Sequence, residues 1–520
     1  MSKKILALAI SLIMIVSVVL FVASCTPGTS TETTTNKKTE ETTTVSKDTE
    51  TQKDETTAKE ETTEEETTEL VLTGYEKFPG YEDVDFGGQT FLIASYDYTD
   101  PDWANASEFW VESYTNDAVN DAVYDRNDVM QKLYHCTISV DDGGWDNGFN
   151  ASVASGDGRY VLDSCASYAL NSISKSGKYY NFLKLDIDWT KDWWDQNYIL
   201  DSSTDGKLYA MVGDWSLHTM SATWIMFYNK DVYESKFSET DIYQLVRDKK
   251  WTIDAMADMI SRIKNDANGD SDYTFSEGAD ADTVGIMTTS HNDRGLYFSS
   301  GLRYVTKTEN TVNGHFVSAL LNQENASDVI DKLIQVCKME GYISGGYTDV
   351  QKAVQNGTTL FAGEVLDVLR RMAGAEELRV GVLPQPLYEE GQDSYHCYVN
   401  NQASILVAPT SYSDMATLAD FLTLFAYHSQ MIVRKAFINT YKYTYASDED
   451  SAEMVDIILD SRVYDVGYIN TFATQMDGYV STMISNGKNQ YKNAASKFST
   501  QIEANIQDFR DALAAVDDNY

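Results

Sequence analysis

The 520-residue chain is short of basic residues. Lysine and arginine number 40 against 80 aspartate and glutamate, a formal charge of −40. Such a surface repels phosphate backbones and has no basic face to release DNA counterions, which excludes nucleic-acid binding. It also disfavours lying flat on anionic lipid. Cysteine is scarce, five in all, and no CxxC or Cys/His metal spacing is present. The six histidines are scattered. There is no HExxH, P-loop, GxGxxG or GxSxG, and no repeat on the roughly 20–50-residue scale of solenoids. Aromatics, in contrast, are plentiful: 34 Tyr, 19 Phe and 9 Trp, which rules out a wholly disordered chain. At roughly 150 residues per domain, the length allows about three domains.

The two ends of residues 1–70 differ in kind. Lys3 and Lys4 precede an apolar run from Ile5 to Val22, and Val22-Ala23-Ser24-Cys25 follows. That order predicts a secretory signal over 1–24 with a small-residue cleavage site. It resembles a bacterial lipobox, which implies that Cys25 is lipidated and becomes the first mature residue. Residues 26–70 hold 18 Thr, 13 Asp or Glu and five Lys, so 25–70 reads as a disordered tether. The first 25 residues carry +2 and the tether −8, leaving −34 of the −40 on residues 71–520. With Cys25 lipidated, Cys136, Cys165, Cys337 and Cys397 remain. Two disulfides are open to an exported chain, but so few cysteines favour buried free thiols.

The body predicts an α/β sheet at its start. Strands are expected at 89–94, 136–140 and 160–162, with a helix at 120–133 between the first two. Further strands are expected at 208–212, 222–228, 380–383 and 403–407. Thr252 caps a helix with an apolar face of Ile253, Met256, Ala257, Ile260 and Ile263. Another helix starts at Asp414, and the last spans 494–516.

An ordered series of motifs now stands out. Gly206-Lys207-Leu208-Tyr209-Ala210 is followed by Met226-Phe227-Tyr228-Asn229-Lys230-Asp231-Val232-Tyr233, then Trp251-Thr252 opening a helix, then Gly381-Val382-Leu383-Pro384-Gln385-Pro386. The series resembles that of the family 1 extracellular solute-binding proteins of bacterial ABC importers. It departs from the family where Asp241–Lys250 is inserted before Trp251 and the usual proline is missing. The resemblance implies a two-lobe, type II periplasmic-binding-protein-like α/β fold with discontinuous lobes and a hinge. Lobe one would hold about 80–224 and 386–445, lobe two about 225–385 and 446–520. It implies a monomer, tied by lipid to the outer face of the membrane, that captures a small molecule and passes it to ABC permease subunits. No enzyme activity and no required cofactor are implied.

A sugar needs aromatic planes for its C–H faces and polar groups for its hydroxyls. Asp214, Trp215 and Trp224 lie just before the crossing strand that borders the cleft in the family. Trp145 sits in a Gly/Asp/Asn loop after a strand, where open α/β sheets bind ligands. His291, Asn292 and Tyr297 follow a strand in the other lobe, and Tyr398 and Asn400 precede a crossing. These are the candidate ligand residues, with a carbohydrate as the expected ligand and a peptide or another solute as the alternative. Asp266, Asn268, Asp270, Asp272 and Glu277 are spaced like an EF-hand loop, with Ser271 where the loop has Gly, and suggest a structural Ca2+. The 80 acids do not exclude a surface-tethered glycoside hydrolase, although no carboxylate pair stands out. A structural or adhesive surface protein is the remaining alternative.

Overall fold

Two mixed sheets, each with a single strand running against the others, organise the chain. The computed structural model describes residues 75–95, 107–141, 148–276, 278, 281–372, 379–445 and 448–516. All lie in one compact unit, Leu72–Tyr520. Trp145, Glu277, Cys25 and the 25–70 tether fall outside the described residues.

The strands are β1 (Gln89–Ser95), β2 (Cys136–Asp141), β3 (Leu162–Ala166), β4 (Trp224–Asn229), β5 (Val284–Thr288), β6 (Val305–Lys307), β7 (Phe316–Ser318), β8 (Tyr342–Ser344), β9 (Thr359–Val365), β10 (Val380–Leu383), β11 (Cys397–Tyr398), β12 (Ser404–Val407) and β13 (Arg462–Val463). One sheet has the order β12-β3-β1-β2 and the other β10-β4-β9-β5-β8. β11 pairs with β13, and β6 with β7. In the four-stranded sheet β12 runs antiparallel to β3, and β1 is parallel to both β2 and β3. In the five-stranded sheet β4 is antiparallel to both β9 and β10, while β5 is parallel to β8 and β9.

The main helices are α1 (Ala118–Tyr134), α2 (Ile253–Arg262), α3 (Asn292–Ser299), α4 (Tyr347–Gln355), α5 (Met415–His428), α6 (Thr474–Asn486) and α7 (Tyr491–Ala514). Three of them start on side-chain caps. Asp117 accepts from the N–H groups of Val119 and Asn120, Thr252 from Ala255 and Asp414 from Thr417. α5 buries Leu418, Phe421, Leu422 and Phe425, and Phe421 stacks on Phe91 of β1 at 3.9 Å. Each such buried side chain contributes roughly 1.5–3 kcal/mol. α2 buries Ile253, Met256 and Ile260 under the five-stranded sheet, where the Cγ2 of Ile260 fills the space above Gly285.

Two expectations are displaced. The third strand is Leu162–Ala166 rather than 160–162: Asp163, Ser164 and Cys165 hide its character, yet β1 and β12 flank it and hold it extended. Residues 208–212 pair as a strand only through one isolated bridge, Met211 with Leu406. Cys136, Cys165, Cys337 and Cys397 are all free thiols. No helix of the described residues is long and apolar enough to cross a membrane.

Candidate functional site

β5, β8 and β9 finish side by side at Thr288, Ser344 and Val365, and β4 starts beside them with Trp224 opposite Val365. The other sheet repeats the arrangement, with Ser404 opening β12 opposite Ala166 at the end of β3. The chain crosses between these two edges. Thr223 bridges to Val399. The carbonyls of Ser221, Ala222 and Thr223 accept from the N–H groups of Asp367 (2.9 Å), Asn400 (3.1 Å) and Leu366 (2.9 Å). On the other side, Ala403 and Asn401 accept from Ser167 (2.8 Å) and Tyr168 (2.9 Å). A continuous hydrogen-bonded path therefore joins the carboxyl edges of both sheets, the place where open α/β sheets bind ligands.

An aromatic wall stands at this crossing. The Trp224 ring lies nearly parallel to Tyr398 (5.5 Å, 12°) and to His291 (6.0 Å, 28°), and His291 in turn to Tyr347 (5.8 Å, 26°). His291 enters it because α3 begins immediately after β5, and Tyr347 because α4 begins immediately after β8. The two are joined by a 3.2 Å hydrogen bond between His291 Nδ1 and the Tyr347 hydroxyl. Asn292 packs against the backbone of β9, where a Cβ on Gly363 would fall 2.4 Å from its Oδ1.

Charged groups frame the wall. Arg294 donates from Nε and Nη2 to the two carboxylate oxygens of Asp477 (2.7 and 2.6 Å), and its guanidinium carbon lies 4.4 Å from the centre of the Tyr468 ring. Asp367 pairs with Arg370 (2.9 Å) and Arg371 (3.4 Å). Glu364, at the end of β9, accepts from the Val365 N–H through Oε1, while its Oε2 is buried without a partner. Burial pushes the Glu364 carboxyl up to about 7, against the opposing pull of the Val365 N–H and of Arg371. Burial and then Arg294 depress the pKa of His291, so its ring is neutral at pH 7. Burial opposes the charge of Arg294, but Asp477 more than compensates, and the guanidinium stays protonated.

The expected ligand residues separate into three groups. Trp224, His291 and Tyr398 meet in the wall, and Asn400 lies at the crossing with its Oδ1 accepting from the Gln402 N–H. Asn292 and Tyr297 belong to the same helix but lie behind it. Asn292 is held by Gln385 and Tyr342, and Tyr297 stacks on Tyr304 at 4.9 Å. Asp214 and Trp215 lie elsewhere. Asp214 pairs with Arg434 at 3.0 Å, and Trp215 packs among Trp194 and Phe425 in the core. The short helix Leu217–Ser221 separates them from Trp224, so only the last residue of that stretch reaches the wall. Arg294, Tyr347, Glu364, Arg371 and Tyr468 were not anticipated. Arg294 follows His291 by three residues on a helix, a spacing that places both on one face.

Two other features are built from residues outside the wall. A cavity of about 640 Å3 is lined by Asn197, Arg247, Arg303, His396, Glu453 and Arg462 among others. Of its arginines, Arg247 pairs with Glu453 in the lining and with Asp450, and Arg462 with Asp195. In the 266–277 loop, Asp266 accepts from the N–H groups of Gly269 and Ser271, Asn268 from Asp270, and Asp270 from Asp272. Ser271 has φ 64°, the conformation that an EF-hand loop reserves for its glycine. Among the described residues, no group of three or more His, Cys, Asp or Glu is placed to hold a metal ion.

No family model and no curated protein matches the chain. Solved structures do. A cyclo/maltodextrin-binding protein complexed with maltotetraose aligns at 12% identity over 80% of this chain and 97% of its own, with a TM-score of 0.53. The maltose-binding periplasmic protein of Listeria monocytogenes, in complex with maltose, aligns at 13% identity over 81% and 98%, with a TM-score of 0.52. A sugar transporter structure from Rhizobium etli, in an open conformation, aligns at 12% identity over 80% and 99%, with a TM-score of 0.50. The chain is thus similar across nearly the whole length of each, and it has the two-lobe, periplasmic-binding-protein-like α/β fold.

Proposed function

We propose that the body is the substrate-binding component of an ABC importer and captures a carbohydrate at the crossing between its two lobes. The observation that carries this reading is the wall of Trp224, His291, Tyr347 and Tyr398, set at the carboxyl edges of two sheets and framed by ion-paired arginines. Aromatic planes suit the C–H faces of sugar rings, and amide and charged groups suit their hydroxyls. Proteins of similar fold whose structures hold maltose or maltotetraose support the choice of ligand class. The lipobox-like Cys25 and the Thr-rich tether support attachment to the outer face of a membrane, with ABC permease subunits as partners.

The reading is one of capture, not turnover. A thermal-shift panel of mono- to oligosaccharides, with peptides as the second arm, tests it. A sugar that binds the folded state at 100 times its Kd stabilises by about 2.7 kcal/mol, a measurable rise in melting temperature. Silence across the sugars with a response to peptides refutes the carbohydrate ligand. Hydrolysis of any panel sugar overturns the assignment in favour of a tethered glycoside hydrolase.

A further inference from the structure

Among the described residues, the buried side-chain hydrogen-bonding capacity left over facing the wall leans towards donors. Among donors, Nη1 of Arg294 and Nε1 of Trp224 are buried without partners. Arg294 is held in place by its other two nitrogens, and its side chain is only 12% exposed. Most of the acceptors nearby are already occupied. Asp477 takes both bonds from Arg294 and one from the Tyr304 hydroxyl. Asp367 is engaged by Arg370 and Arg371. Asn292 Oδ1 accepts from Gln385, and Asn401 Oδ1 from Tyr468. The carbonyls of Ser221, Ala222 and Thr223 take the crossing N–H groups, and the carbonyl of His291 takes the Tyr398 hydroxyl. Among the described residues Glu364 Oε2 has room, as does Gln385 Oε1 behind the wall beside Asn292; burial favours the protonated form of Glu364, in which that carboxyl also donates.

A neutral sugar both donates and accepts through every hydroxyl, so a site with donors to offer and few acceptors leaves sugar hydrogens unpaired. A carboxylate only accepts. Arg294 and Arg371 are both among the charged groups facing the Tyr347 phenol, together with Glu364.

We propose that the site selects a carboxylate-bearing carbohydrate, a uronate or an oligosaccharide containing one, whose carboxylate is received by Arg294 with Arg371 nearby. Charge-assisted, planar recognition of a carboxylate is what a guanidinium does best. This deepens the carbohydrate reading and rests on it.

The test is isothermal titration of the mature chain with galacturonate and glucuronate, and with their di- and trimers. Galactose, glucose and neutral oligomers of matched length form the second arm. The expected result is at least tenfold tighter binding of the acidic member of each pair, weakening with added salt. Arg294→Gln is expected to erase that preference while leaving residual affinity for neutral sugars. The wild-type comparison decides the matter even if this variant does not fold. Neutral sugars binding as well as or better than the acidic ones overturns the acid preference and leaves carbohydrate capture standing. Peptide binding with neither class of sugar overturns both.

Discussion

Glu364 offers the sharpest test of the electrostatics at the wall. A carboxyl whose folded pKa lies above its unfolded value holds its proton more tightly when folded. Its stabilising contribution is therefore complete below the ordinary value of 4.5 and is lost as pH rises through about 7. That displacement corresponds to ~3 kcal/mol, as an upper figure, between pH 4.5 and pH 8. Glu364→Gln keeps an oxygen for the Val365 N–H and removes the ionisation. Urea denaturation from pH 5 to pH 8.5 is the assay. The variant should exceed the wild type by ~2–3 kcal/mol at pH 8, and the advantage should shrink to below ~1 kcal/mol at pH 5. Arg371, Asp367 and Tyr347 also face this carboxyl, and burial raises the Tyr347 phenol to about 12, outside that window. Stability curves that run parallel for the two proteins across the whole range would refute the buried, proton-retaining Glu364.

Two further outcomes are expected. Gly363→Ala puts a methyl 2.4 Å from Asn292 Oδ1, and Asn292 is pinned by Gln385 and Tyr342, so the variant should lose roughly 1–3 kcal/mol in denaturant. A variant as stable as the wild type would show that α3 is free to move off β9. We propose calcium for the 266–277 loop, with Asp266, Asn268, Asp270, Asp272 and Glu277 as its oxygen donors. A chelator should then lower the melting temperature and added calcium restore it, whereas a melt unchanged by chelator refutes the ion.

Much of the scaffold was legible because local chemistry and tertiary packing agree there. Thr252 and Asp414 announce their helices and cap them in the structure. β4 is an apolar run that passes directly into a helix capped by Asn229, and β10 is one stopped by Pro384. β3 was misplaced because Asp163 and Cys165 lie in a strand held by its neighbours rather than by its own propensity. The site was legible only in part, for a physical reason. Trp224, His291 and Tyr398 stand out as aromatic or imidazole residues near strand ends, and sheet topology brings them together across 174 positions of sequence. Asp214 and Trp215 carry the same local signal, but a helical turn diverts them into the core. Tyr347, Glu364, Arg371 and Tyr468 carry none, since their meaning depends on which strand ends lie side by side.

The central claim is that ligand is held at the crossing between the lobes. Hydrogen–deuterium exchange with and without the strongest-binding sugar tests it most directly. New protection is expected at 289–294, 345–348, 366–371 and 398–402, the segments that build the wall and its frame. Protection confined instead to the segments around Arg247, Arg303 and Arg462, which line the 640 Å3 cavity, would contradict it.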